Sequence, residues 1–205
     1  MQAMIITYFG KQFVKIAQGD MVLAINPVSK DSKSGISARF GADIALSSLS
    51  HPDYNGMSQV VHGEREPFAV RGPGDYEIKE IFIKGVMSGS PEISNKKYVN
   101  TVYSLSLDGI NLAFLGIPGE GELEKDAREA VDNADVLFIP VGKSSAKLAS
   151  SLEPKLIIPT DYDPSSLKSF LKEVGDEKAE VTDKLVLKRK DLEGKEGEIV
   201  VLRPA

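Results

Sequence analysis

The sequence predicts an α/β chain, α+β in its order, with sheets buried between helical layers. Two patterns predict it. The first half is a succession of short β-branched and aromatic runs broken by turn residues, which is how antiparallel strands read. The second half alternates apolar strands with segments of helical period, as β–α–β units do. The composition agrees: of 205 residues, 41% are hydrophobic and 27% charged, an ordinary globular balance with enough core to fold without cross-links.

Taken in order, Met4–Phe9, Phe13–Ala17 and Met21–Ile25 read as strands punctuated by Gly10 and by a hairpin at Gly19-Asp20. Asn26-Pro27 opens the polar stretch Ser29–Gly35, expected to be a mobile loop. Ala42–Ser48 is a further apolar run. Pro67–Val70 leads into a Gly72-Pro73-Gly74-Asp75 turn, where glycine accepts a positive φ. Tyr76–Val86 and Asn100–Leu107 read as extended, and Asp108-Gly109 is a hairpin signal before Ile110–Leu115.

Glu122–Asn133 carries Leu123, Ala127, Ala130 and Val131 at helical spacing. Val136–Val141 reads as a strand, Ser144–Leu152 as a helix and Leu156–Pro159 as a strand. Pro164–Val174 reads as a helix with Asp163 as its N-cap and Pro164 in the first position. Lys184–Lys188 and Glu198–Leu202 close the chain as strands. Nothing reads as a repeat or a linker, so one domain over 1–205 is expected.

Composition also removes classes of chemistry. Without cysteine there are no disulfides, thiolate nucleophiles, iron–sulfur clusters or cysteine zinc sites. Two histidines, His51 and His62, cannot make a three-histidine catalytic zinc site within one chain. The net charge, 25 − 30 = −5, argues against nucleic acid as a partner. Lys188-Arg189-Lys190, followed at once by acidic residues, reads as a solvated strand end or hairpin. No apolar run reaches the ~18–20 residues that span a bilayer, and Met1–Gly10 does not read as a signal peptide. A cytoplasmic protein without a membrane partner is expected. Gly116–Gly121 lacks the Gly-Lys-Ser/Thr ending of a phosphate loop and reads as a glycine-permitted turn. His62 sits in the polar segment Val61–Glu66 and reads as a surface residue.

A series of short motifs adds a likeness. It runs through Tyr8-Phe9-Gly10, Leu23–Pro27, Ala42–Leu46, Ser48–Tyr54, Gly72–Glu77, Asn100–Tyr103, Phe114-Leu115-Gly116, Asp135–Gly142 and Leu156–Tyr162. In this order the motifs resemble the metallo-β-lactamase superfamily, nearest to the simple metal-dependent hydrolases that include the ascorbate-phosphate lactonases. The resemblance implies a four-layer αββα sandwich with a metal site at one edge of the paired sheets. The family's ligand pattern is a threonine or serine, then His-x-His-x-Asp-His, then isolated His, Asp and His. Carried onto this chain, Leu49 stands at the first histidine and Tyr54 at the last, while His51 and Asp53 keep the family's residues. Ser88 falls near the next histidine position, Ile117 at the bridging aspartate and Asp161 at the final histidine. Lys11 stands where an early histidine is common, and Asn26 replaces an aspartate.

Leucine and isoleucine offer no donor atom, and an ammonium repels a cation. One histidine and two carboxylates do not make a dinuclear centre. The expectation is therefore a relative with no catalytic residue, no metal ligand and no cofactor, in which Lys11, Asn26, His51, Asp53, Tyr54 and Asp161 mark the former site. Lys11 is expected to pair with Asp53 or Asp161 in the metal's place. Such a chain would bind an unidentified small molecule or protein. The alternative keeps one divalent cation on His51, Asp53 and Asp161, working on a small ester, lactone or phosphoester. A third reading is a homo-oligomer pairing through an exposed strand such as Glu198–Leu202. Locally, His51 and Asp53 are expected to hydrogen-bond each other, with Asp53 capping the segment that follows.

Overall fold

The computed structural model describes residues 2–119 and 122–205. Its first strands are β1 (Met4–Gly10), β2 (Phe13–Gln18), β3 (Met21–Ile25), β4 (Ile44–Ser47) and β5 (Phe68–Arg71). Next come β6 (Gly74–Ile78), β7 (Ile81–Met87), the short pair β8 (Glu92–Ile93) and β9 (Lys96–Lys97), β10 (Thr101–Leu107) and β11 (Ile110–Phe114). The alternating half runs α1 (Lys125–Val131), β12 (Val136–Pro140), α2 (Ser145–Leu152), β13 (Leu156–Thr160) and α3 (Pro164–Val174). It closes with β14 (Glu180–Thr182), β15 (Lys184–Leu187) and β16 (Glu198–Leu202).

Two mixed sheets result, one in the order β15-β1-β2-β3-β4-β5 and one in the order β14-β16-β13-β12-β11-β10-β7-β6. Period-two alternation makes them face each other. Met4, Ile6 and Tyr8 of β1 point inward with Leu23 and Ile25, and meet Tyr103, Leu105, Leu112, Phe114 and Phe138 of the second sheet. The second sheet's other face is covered by the helices, through Ala127, Val131, Leu148, Leu152 and Phe170. The first sheet's other face is covered differently. Val28, Ala42, Met57 and Val60, with Ile36 and Phe40, come from irregular chain and one 3-10 turn at Met57–Val60. The architecture is the α/β sandwich implied by the resemblance, with one outer layer helical and the other mostly loop. Among the described residues no helix is long and apolar enough to cross a membrane.

Local chemistry explains most boundaries. The Gly19-Asp20 and Asp108-Gly109 hairpins form with pairs Gln18↔Met21 and Leu107↔Ile110. Asp163 caps α3, accepting from the Ser165 and Ser166 amides, and Gly175 ends it at φ 79°. β16 pairs β13 only at Leu156 and Ile157, so Pro159 sits where that partner has already diverged.

Four expectations change. The stretch Tyr76–Val86 is two strands, because Lys79 and Glu80 take φ 50° and 65° in a tight turn. Residues 29–35 are tied down: the Ser29 amide donates to Pro52 O at 2.7 Å, and the Ser32 hydroxyl reaches Asp53. Lys184–Leu187 and Glu198–Leu202 do not flank a hairpin, since β15 joins β1 while β16 joins the other sheet. Between them Arg189–Leu192 makes a 3-10 turn that buries Leu192. Finally, Glu198–Leu202 is not an exposed strand: β13 and β14 flank it, and residues 199–202 are buried. Of the Gly116–Gly121 segment, Glu120 and Gly121 lie outside the described residues.

Asp43 ties the first sheet to the Lys79-Glu80 turn of the second. Its Oδ2 accepts the Val22 amide at 2.8 Å, its Oδ1 accepts Lys79 Nζ at 2.7 Å, and Arg65 Nε lies 3.8 Å away. Burial opposes the charge, but the Lys79 and Val22 hydrogen bonds and the two cations outweigh it and hold the carboxyl below its ordinary range. A lowered carboxyl contributes stability that is complete above its unfolded value and fades as pH falls through the folded one. Asp43→Asn is expected to cost ~2 kcal/mol at neutral pH. The deficit should shrink below about pH 4, as urea titrations at the two pH values will measure.

Candidate functional site

The loops that follow β1, β3, β4, β11 and β13 meet at one edge of the sandwich, and Lys11, Asn26, His51, Asp53, Tyr54 and Asp161 all lie on them. Three of those residues are bent into the left-handed region without being glycine: Lys11 at φ 53°, Asn26 at 48° and Asp161 at 49°. Such residues cost ~1–2 kcal/mol each and cluster at functional sites. The turns are held by shared hydrogen bonds. The Asp161 amide donates to Lys11 O at 2.5 Å and to the Tyr8 hydroxyl at 3.0 Å, while that hydroxyl donates to Lys11 O at 2.8 Å.

This framework brings Lys11, Asp53, Tyr54 and Asp161 together. Lys11 Nζ lies 3.5 Å from Asp161 Oδ1 and 3.7 Å from Asp53 Oδ2, between the two carboxylates. The Tyr54 hydroxyl donates to Asp161 Oδ2 at 3.0 Å, and Ser32 donates to Asp53 Oδ1 at 2.5 Å. Burial first, and then the nearby Asp161 charge, push the Tyr54 phenol well above its ordinary range, so it stays a donor. Burial does the same for Tyr8.

His51 sits beside this group rather than in it. Its Nδ1 accepts the Asp53 backbone amide at 3.2 Å, and its ring meets Tyr98 edge-on at 5.3 Å and Tyr54 at 5.9 Å. The expected bond between the His51 and Asp53 side chains is replaced by this ring-to-backbone bond. Nor does Asp53 cap a helix, because residues 51–54 form a turn and its carboxylate is used by Ser32 and Lys11. His62 is exposed, as a surface residue should be, and bridges backbone-to-backbone with Arg65.

Asn26 belongs to a second network of neutral amides. Its Oδ1 accepts the Ser48 amide at 2.7 Å and its Nδ2 donates to Gln12 Oε1 at 3.2 Å; Gln12 Nε2 donates to Gly116 O at 2.9 Å. Asn100 completes it, donating to Ser88 O and Leu115 O and accepting the Ile117 amide at 2.8 Å. Gly116 is required here: at φ 61°, an added Cβ would stand 2.1 Å from Asn100 Oδ1. Sequence reasoning assigned no role to Gln12, Asn100 or Ser32. Only Asn100 lies within a motif of the resemblance; Gln12 follows the first motif at a turn, and Ser32 lies in the polar stretch Ser29–Gly35.

The family's metal can be tested against these residues. Among those described, no group of three or more His, Cys, Asp or Glu side chains converges as a metal would need. Leu49 is buried without a donor, and the positions of Ser88 and Ile117 are held by backbone bonds to Asn100. The two remaining carboxylates already share an ammonium. This donor set does not fit a dinuclear centre.

Two mixed sheets with loops gathered at one edge define the class of metallo-β-lactamase sandwiches. The Beta-lactamase superfamily domain model matches residues 5–161, well over half of the sequence. The chain belongs to that superfamily. It is similar to a Thermotoga maritima protein assigned to the Zn-dependent hydrolases of the metallo-beta-lactamase superfamily, with 24% identity, a TM-score of 0.71, and coverage of 97% of this chain and 98% of that one. A Parabacteroides distasonis protein assigned as a metal-dependent hydrolase follows at 17% identity and TM-score 0.61, covering 84% and 90%. The isothiocyanate hydrolase from Delia radicum gut bacteria shares 9% identity at TM-score 0.62, covering 98% and 97%. At these identities the likeness is one of fold. The comparison with curated proteins finds no match.

Asn26→Ala would leave the buried Ser48 amide and Gln12 carbonyl without partners. The expected cost is about 2–4 kcal/mol, read from the midpoint of chemical unfolding.

Proposed function

We propose that this chain is a superfamily member whose dinuclear centre has been replaced by an internal ion pair, and that it acts by binding rather than by hydrolysis. The observation that supports this is the position of Lys11 Nζ, within 4 Å of both surviving carboxylates. A divalent ion about 4 Å from that ammonium would meet a repulsion of ~8 kcal/mol at an effective dielectric of ~20. The ammonium and a metal therefore exclude one another. Without a metal the cluster lacks the family's means of polarising water. The rival use of His51, Asp53 and Asp161 as a single-ion hydrolase site gains no support from this geometry, because Nδ1 of His51 is engaged by the Asp53 amide.

Metal analysis of protein purified without chelators tests the proposal. The expected content is below about a tenth of an equivalent; one or more tightly retained equivalents would overturn it. A second measurement probes the ion pair. In Lys11→Met, Asp53 and Asp161 lose their counter-charge, so added Mn2+ should raise the unfolding temperature of the variant by mass action. The native chain should show no such rise.

A further inference from the structure

A cavity of about 470 Å³ opens beside the Ser48–Ser50 segment, separate from the Lys11 cluster. Its walls include Ser48, Asn55, Arg71, Lys96, Lys97 and Tyr98, and no lining residue is acidic. That is unusual for a chain of net charge −5. The cations are set by structure. Arg71 ends β5 in register with Ser47 of β4. Lys96 and Lys97 form β9, and Ser94 and Asn95 at φ 51° and 62° turn the chain back onto β8. Lys96 Nζ lies 5.0 Å from the Tyr98 ring centroid. Glu92 stands opposite Lys97 in the register but does not line the cavity.

We infer that this cavity is a binding site for a small organic polyanion. A cleft whose charged lining residues are all cations focuses its potential and concentrates anions. Arg71 offers a planar fork to a phosphoryl or carboxylate group, and the two lysines act as point charges. Tyr98, Pro73 and Val99 provide an apolar wall, and the volume is that of a small-molecule site rather than a bare ion. The inference goes beyond the function proposed above and does not rest on it. Metal uptake at Lys11 would leave these cations in place.

Isothermal titration of the full chain at low ionic strength, with pyrophosphate and with citrate as probes, tests it. Binding of at least one probe at a single site is expected, weakening as salt is added. Pyrophosphate alone would assign a phosphoryl ligand, citrate alone a polycarboxylate, and equal binding recognition by charge. Arg71→Gln and Lys97→Gln should each weaken binding by roughly tenfold, with the unfolding temperature unchanged. Absence of binding by both probes would overturn the inference, as would undiminished affinity in the folded double variant.

Discussion

The edge of this sandwich is organised by the need to satisfy buried backbone amides in loops that leave the sheets. Every unpaired buried N–H or C=O costs ~1–3 kcal/mol, and here carboxamides meet that demand. Asn26 and Gln12 link the first sheet's loops to Gly116, and Asn100 links Ser88, Leu115 and Ile117. These bonds hold the loops in place. The left-handed turn at Asn26 is held by this network, and those at Lys11 and Asp161 by the bonds among the Tyr8 hydroxyl, Lys11 O and the Asp161 amide.

Within that frame the charged residues divide into two groups. Lys11, Asp53 and Asp161 satisfy one another at the edge, while Arg71, Lys96 and Lys97 face open space. The first group pairs one cation with two carboxylates; the second leaves a local excess of positive charge on an acidic molecule. Electrostatics thus separates the Lys11 cluster from the neighbouring cavity more sharply than the fold does.

Much of this was legible in the sequence. Gly19-Asp20, Asp108-Gly109 and the Asp163 cap announce themselves because each residue type has a single cheap backbone use there. The missing donors at Leu49 and Ile117 were legible too, since side chains without a donor atom can be counted. The Lys79-Glu80 turn was not: neither residue favours a positive φ, and what holds them is strand pairing and the long-range bond from Lys79 to Asp43. Strand β14 escaped because three residues carry no period. The separation of β15 from β16 depends on which distant partner each one finds, and no local pattern records that. The contact of Ser32 with Asp53 spans a loop, so it is tertiary in origin.

One consequence follows from the buried phenols. The chain has six tyrosines and no tryptophan, so its near-ultraviolet absorbance is dominated by tyrosine. Burial pushes up the ionisation of Tyr8, Tyr54, Tyr103 (to about 12) and Tyr162. Two of them, Tyr54 and Tyr103, anchor loops at the edge, the latter by donating to Ser47 O and accepting the Gly72 amide. In alkali, the appearance of phenolate colour from these rings marks the opening of the interior itself. The molecule carries its own optical gauge of cohesion.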